Sequence, residues 1–134
     1  LALKPQKPLT SKGFMKYLLG GSQVMMKKKP ELLPFDKNPQ DYDIIIIGTP
    51  VWAWSFAPPL ATFFSKVNLK DKKIALFSCN KGDNGKTFER MRKELAGNEI
   101  LGEMEFFQPL DKEPENNYYK AKEWVKSIVQ KCIV

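Results

Sequence analysis

Four isoleucines in succession, at 44–47, stand between Asp43 and the break Gly48-Thr49-Pro50. A β-branched side chain is stiff at χ1, which costs it in a helix and suits it to a pleated surface. A run that is apolar at every position, and not at every second one, fits a strand buried on both faces. Strands of that kind belong to parallel sheets, whose neighbours must be joined by long crossovers, usually helices. The run therefore confines the chain to folds in which helices cover a sheet.

The rest of the pattern agrees. "KKIALFSC" at 72–79 is a second buried strand. "EILGEMEFFQP" at 99–109 is a third, in which Glu103 and Glu105 alternate with Met104 and Phe106, so one face is wet and the strand lies near an edge. Between them, Pro58 and Pro59 suit a helix start, with Leu60, Phe63, Phe64 and Val67 at helical spacing. A helix over 87–96 puts Phe88, Met91 and Leu95 on one face and stops at Gly97. The last helix carries Ala121, Trp124, Val125, Ile128, Val129 and Cys132, with Tyr118 and Tyr119 packing its start. Earlier, Thr10 or Ser11 caps a helix running from Phe14, and Met15, Met25 and Met26 fill core. Strand and helix alternate, which predicts one α/β domain over 1–134, with 44–48, 74–79 and 100–107 as parallel strands and helices on both faces.

Composition narrows the function. The chain has 134 residues, 43% hydrophobic and 28% charged, which suits one globular core and excludes a disordered chain. No apolar run approaches the length of a membrane span and no secretory leader precedes the first strand, so the expectation is a cytoplasmic protein without membrane contact. The net charge is +7, but the lysines cluster only in "MKKKPE" and "LKDKK" and read as a solvated surface, not a nucleic-acid face. Histidine is absent, which removes Ser-His and Cys-His nucleophile pairs and the commonest metal ligand. Cys79 and Cys132 are too far apart for zinc-like spacing. No metal site and no catalytic side chain is expected; redox or group-transfer chemistry would fall to an organic cofactor.

In parallel α/β sheets ligands bind outside the carboxyl ends of the strands. Two unusual loops leave strands at that end, 49–56 with Trp52 and Trp54, and 79–85, which is rich in turn formers. A flat aromatic ligand could stack on either tryptophan while the second loop offers backbone N–H groups to its polar edge. The alternative is that both tryptophans cap the core where strand meets helix. Cys79 reads as a small buried residue, not a reactive thiol.

These residues carry a resemblance. "DYDIIIIGTPVWAWSFAPPLATFFSK" followed by "KKIALFSCNKGDNGKTFERM" resembles the flavodoxin-like flavoproteins, short bacterial members in particular, and the pattern extends over essentially the whole chain. The resemblance implies a three-layer, doubly wound flavodoxin-like sheet with FMN at the strand ends. It places Thr49, Pro50, Val51, Trp52, Ala53 and Trp54 in a first loop flanking the ring. Ser78, Cys79, Asn80, Lys81, Gly82, Asp83, Asn84 and Gly85 form the second.

The chain also departs from the family. Flavodoxin-like proteins open with a central strand, a Ser/Thr/Gly loop around the FMN phosphate, and a helix. Here the start "LALKP" looks like the tail of the second strand, and "LTSKG" follows prolines, not an apolar strand. With Leu at position 1, the expectation is an N-terminally truncated domain that binds FMN weakly. In the family the missing strand lies beside 44–47, so an apolar edge would be left open, a template for a homodimer. The function implied is FMN-dependent electron transfer or quinone-reductase-like oxidoreduction. The alternative is a cofactor-free interaction or dimerisation module on the same fold.

Overall fold

The computed structural model describes residues 1–6 and 29–133. The expected helix from Phe14, its cap at Thr10 or Ser11, and Met15, Met25 and Met26 lie outside the described residues. Four strands form one sheet in the order β2-β1-β3-β4, with β1 at Ile44–Trp52, β2 at Ser55–Phe56, β3 at Lys73–Asn80 and β4 at Glu99–Phe107. Helix α1 (Pro58–Lys66) joins β2 to β3, α2 (Thr87–Glu94) joins β3 to β4, and α3 (Pro114–Ile133) follows β4.

The three expected strands are parallel. Ile44 lies opposite Lys73 and Pro50 opposite Cys79; beyond β3, Lys73 meets Glu99 and Asn80 meets Phe107. Alternation along β3 divides its side chains between two layers. Ile74 and Leu76 have no exposed surface and join Ile47, Leu60, Phe63 and Met91 in the larger core, under α1 and α2. Ala75 points the other way, into a smaller cluster with Leu101 and Ile128 under α3. This is the α/β architecture that the sequence pattern predicts, with helices on both faces, and the flavodoxin-like fold that the resemblance implies.

The differences are local. Residues 49–52 were expected in a loop but continue β1, which then folds back on the antiparallel strand β2: Val51 pairs with Phe56 and Trp52 with Ser55. Buried Phe56 drives this return, meeting the Phe64 ring edge-on at 5.4 Å. Tyr118 and Tyr119 do not pack the start of α3; both are exposed and touch each other edge to face at 5.6 Å. Helix α2 ends two residues earlier than expected, and Gly97 takes a φ of 92° in the turn that follows.

Beside 44–50, on the side away from β3, no strand pairs among the described residues. A cavity of about 640 Å³ runs along this edge, lined by Leu1 and Leu3, by Ile45 and Ile47, and by Leu60 and Phe63. The segment 4–6 is engaged elsewhere, with Leu33 N donating to Lys4 O at 2.7 Å and Gln6 N to Glu31 O at 2.7 Å.

Gly48 is fixed by its neighbour. A Cβ there would lie 2.0 Å from Cζ of Phe77, whose ring crosses the strand and meets Phe106 and Trp124 edge-on at 6.2 and 6.4 Å. Replacing a strand glycine by alanine ordinarily stabilises by roughly 0.5–1 kcal/mol. Here overpacking should reverse the sign, so Gly48→Ala lowers stability by about 1–3 kcal/mol in urea unfolding. Phe77→Leu in the same chain should return part of that loss, since the two positions share one contact.

Candidate functional site

The β1–β3 ladder sets two chain turns side by side. Thr49 lies opposite Ser78 and Pro50 opposite Cys79, so the segments leaving both strands emerge at one end of the sheet. All the residues predicted from the first loop, Thr49, Pro50, Val51, Trp52, Ala53 and Trp54, belong to β1 or to its hairpin turn. Of the second set, Ser78, Cys79 and Asn80 end β3, and Lys81, Gly82, Asp83, Asn84 and Gly85 form the loop to α2.

Thr49 ties the strand end to the helix that follows. Its buried hydroxyl donates to Pro50 O at 2.8 Å and accepts from Ala57 N at 2.9 Å, one residue before α1. The turn between Trp52 and Ser55 has two residues, Ala53 and Trp54, both with positive φ (48° and 59°). Tight hairpins favour that geometry because its twist matches the strands, but Asn-Gly is the usual occupant. Two side-chain-bearing residues there cost roughly 1–2 kcal/mol each. The strain presents Trp54 outward: its residue surface is 63% exposed, although the adjoining Ser55 and Phe56 are buried.

The second loop is built from its own side chains. Asn80 Oδ1 accepts from Gly82 N at 3.1 Å, and its Nδ2 donates to Glu105 Oε1 at 2.6 Å. Asp83 Oδ1 accepts from Gly85 N at 2.9 Å. The Ser78 hydroxyl bonds to Asn84 Oδ1, and Thr87 Oγ1 donates to Asn84 O at 2.6 Å. These bonds use the Gly82 and Gly85 amides, which the sequence reading would have left to a ligand. Lys81, Gly82 and Asp83 form the exposed rim.

The two segments touch directly. Lys86 N donates to Trp54 O at 3.0 Å, and Gly85 sits against the backbone of Trp54. Lys86 was not among the predicted residues; a main-chain contact leaves no mark in side-chain chemistry. Ser55 was missed as well. Its hydroxyl is fully buried and has no hydrogen-bond partner among the described residues.

A sequence model of the flavodoxin domain matches residues 16–131. The chain belongs to the flavodoxin-domain family. Solved structures agree on the fold. A flavoprotein from Lactobacillus acidophilus NCFM, determined in complex with FMN, is 23% identical and superposes with a TM-score of 0.61 over 82% of this chain and 76% of its own. A Bacteroides uniformis ATCC 8492 protein assigned to the flavoproteins is 18% identical, with a TM-score of 0.71 over 92% of this chain and 78% of its own. A third, from Bacteroides eggerthii DSM 20697 and similarly assigned, is 22% identical, with a TM-score of 0.64 over 76% and 67%. No curated protein matches the sequence. Among the described residues no helix is long and apolar enough to cross a membrane.

In this flavodoxin-family chain Cys79 is half-buried beside the candidate site, and burial pushes its thiol above the ordinary value. Below the ordinary thiol pKa of about 8.5, folded and unfolded chains are both protonated and the contribution is intact. As the pH rises, the unfolded chain loses that proton first, so stability falls until the folded thiol has also ionised. In a Cys132→Ser background the urea midpoint should therefore decline above pH about 8.5. Adding Cys79→Ala should remove part of that decline; identical pH profiles would show that Cys79 does not contribute.

Proposed function

We propose that this protein is an FMN-binding flavoprotein that acts in electron transfer or in quinone-reductase-like oxidoreduction. The flavin ring lies over the strand ends where the β1–β2 hairpin meets the β3–α2 loop. One observation carries the reading. A strained turn holds an exposed indole, Trp54, at the carboxyl end of a parallel sheet, fastened to a second loop that leaves the neighbouring strand. Strain of this kind clusters at functional sites, and open clefts at strand ends are where ligands bind on such sheets. Family membership and the FMN complex of the Lactobacillus protein support the same ligand.

The residues present fit the ring. Trp54 offers an aromatic face, Trp52 and Pro50 border it, and the exposed Lys81–Gly82–Asp83 rim flanks its edge, with the Gly82 amide already held by Asn80. When bound, the flavin supplies the redox chemistry; the chain's part is to stack on the ring, orient it and exclude water from one face. Thr49 keeps the hairpin root fixed to α1, so that this face stays in place. Localisation in the cytoplasm is part of the proposal.

All these contacts meet the ring, and none is assigned to the phosphate. In a full site the phosphate gains several charge-assisted hydrogen bonds, each worth about 1.5–3 kcal/mol. FMN and riboflavin should thus bind nearly alike, with Kd above about 1 µM. Titration followed by flavin fluorescence measures both. Trp54→Ala should weaken each about 2- to 12-fold, the value of one aromatic stacking pair of roughly 0.5–1.5 kcal/mol. Submicromolar FMN binding with much weaker riboflavin would overturn the assignment of the contacts to the ring alone.

A second reading, self-association, rests on a separate observation. Residues 44–50 pair with nothing on their outer side among the described residues, and they carry no charge. Ile46 is 39% exposed there, and Val125 and Val129 are exposed beside buried Ile128, on the layer to which Ile44 also belongs. Open apolar edges pair with other strands, and two copies related by a two-fold axis would satisfy each other. Multi-angle light scattering should find a dimer, and Ile46→Lys should shift it to monomer. A wild-type monomer at every concentration would sink this reading.

A further inference from the structure

We propose that Gly85 is a positioning residue that latches the second loop onto the Trp54 turn, so that the two sides of the cleft form one mechanical unit. The inference rests on the reading of that cleft as the flavin-ring site and adds how its stacking residue is held. Three features converge. Trp54 has a φ of 59°, which a bulky residue rarely adopts, so its conformation must be imposed from outside. The imposing contacts come from the second loop. Lys86 N donates to Trp54 O at 3.0 Å, which fixes the carbonyl of the strained residue. Gly85 then lies so close that a Cβ on it would stand 2.5 Å from Trp54 Cβ and 2.8 Å from both its Cα and its carbonyl oxygen. Two of those atoms are backbone, and they cannot swing aside as a flexible side chain would.

Gly85 itself is set by the loop. Its own φ is 56°, and its N–H donates to Asp83 Oδ1 at 2.9 Å. Asn84 is in turn fastened to Ser78 at the end of β3 and to Thr87 at the start of α2. A continuous chain of contacts thus runs from β3 through Asn84 and Gly85 to the backbone and Cβ of Trp54. The hairpin is fixed at its other side by Thr49 Oγ1 and Ala57 N, 2.9 Å apart. Any side chain at 85 must lift the turn away from the loop, whether or not that side chain tolerates a positive φ.

That last point separates the latch from ordinary glycine flexibility. Alanine is disfavoured at φ above zero, whereas asparagine accepts it; both carry a Cβ. Label the tryptophans with 5-fluorotryptophan, assign the three ¹⁹F resonances by Trp→Phe variants, and compare wild type with Gly85→Ala and Gly85→Asn. The Trp54 resonance should shift or broaden in both variants, while that of Trp124, packed on Phe77, stays in place. Flavin affinity should fall in both, by no more than the roughly 2- to 12-fold expected of losing the Trp54 stack itself. An unmoved Trp54 resonance, or asparagine behaving as wild type, would overturn the latch. A moved resonance with unchanged flavin affinity would leave the latch standing and overturn the ring site instead. If neither variant folds, hydrogen exchange on the unlabelled wild-type protein decides: the Lys86 amide must be protected well beyond the exposed Lys81 and Asp83 amides, and equal exchange rejects the proposal.

Discussion

The pairing of β1 with β3 is the constraint on which the rest depends. Seven successive partners, from Ile44 opposite Lys73 to Pro50 opposite Cys79, hold the strands in one register. Because side chains alternate, this register also decides which isoleucines enter the larger core and which face α3. It further fixes where the chain may leave the sheet. With Thr49 beside Ser78, the hairpin and the β3–α2 loop cannot be far apart, whatever their own sequences. The meeting of the two segments is therefore a consequence of the ladder, and its chemistry is added by what each segment carries.

The hairpin shows how the surroundings outweigh a local cost. Ala53 and Trp54 would not choose positive φ alone, at roughly 1–2 kcal/mol each. Burying Phe56 against Phe64, pairing Trp52 with Ser55 and capping Ala57 N with Thr49 all act only if the chain turns back within two residues. A fully buried large side chain contributes about 1.5–3 kcal/mol, so Phe56 by itself offsets much of the strain. The unpartnered Ser55 hydroxyl adds a further cost at the same place. Rules broken together at one turn, in a domain otherwise consistent with its pattern, are what the proposed function of this turn rests on.

What could be read in advance follows from the range of the forces involved. β1, β3, β4 and the three helices are legible because burial on a sheet or helix face repeats at a fixed period, and periodicity is visible along the chain. β2 is not, for it is two residues long and its turn lacks the Asn-Gly signature that would announce it. Trp52 and Trp54 were both expected on the loop, yet Trp52 ends the β1 ladder and only Trp54 stands at a turn, a distinction that arises from the pairing of Val51 with Phe56. Tyr118 and Tyr119 mislead because adjacent residues on a helix point in different directions, and neither reaches the sheet. The turn formers Asn80, Asp83 and Asn84 do mark the second loop. That the Asn80 and Asp83 side chains consume its glycine amides depends on the folded path of that loop, which composition does not encode.

That consumption has a consequence for how the family fold can be used. A loop whose amides bond internally is rigid before any ligand arrives, and rigidity there lowers the ordering cost of binding. It also limits what the loop can give, since fewer donors remain for the edge of a ring. On the proposed function, recognition would lean on the aromatic face supplied by the opposite segment, where Trp54 stands exposed and braced. Stacking of this kind tolerates variation in the substituents at the far end of the ligand, because a π-face makes no demand on them. On the proposed function, ring recognition and phosphate recognition would be separable tasks on this sheet: the β1–β3 register would serve the first, and the second would need donors aimed at a point the ring does not reach.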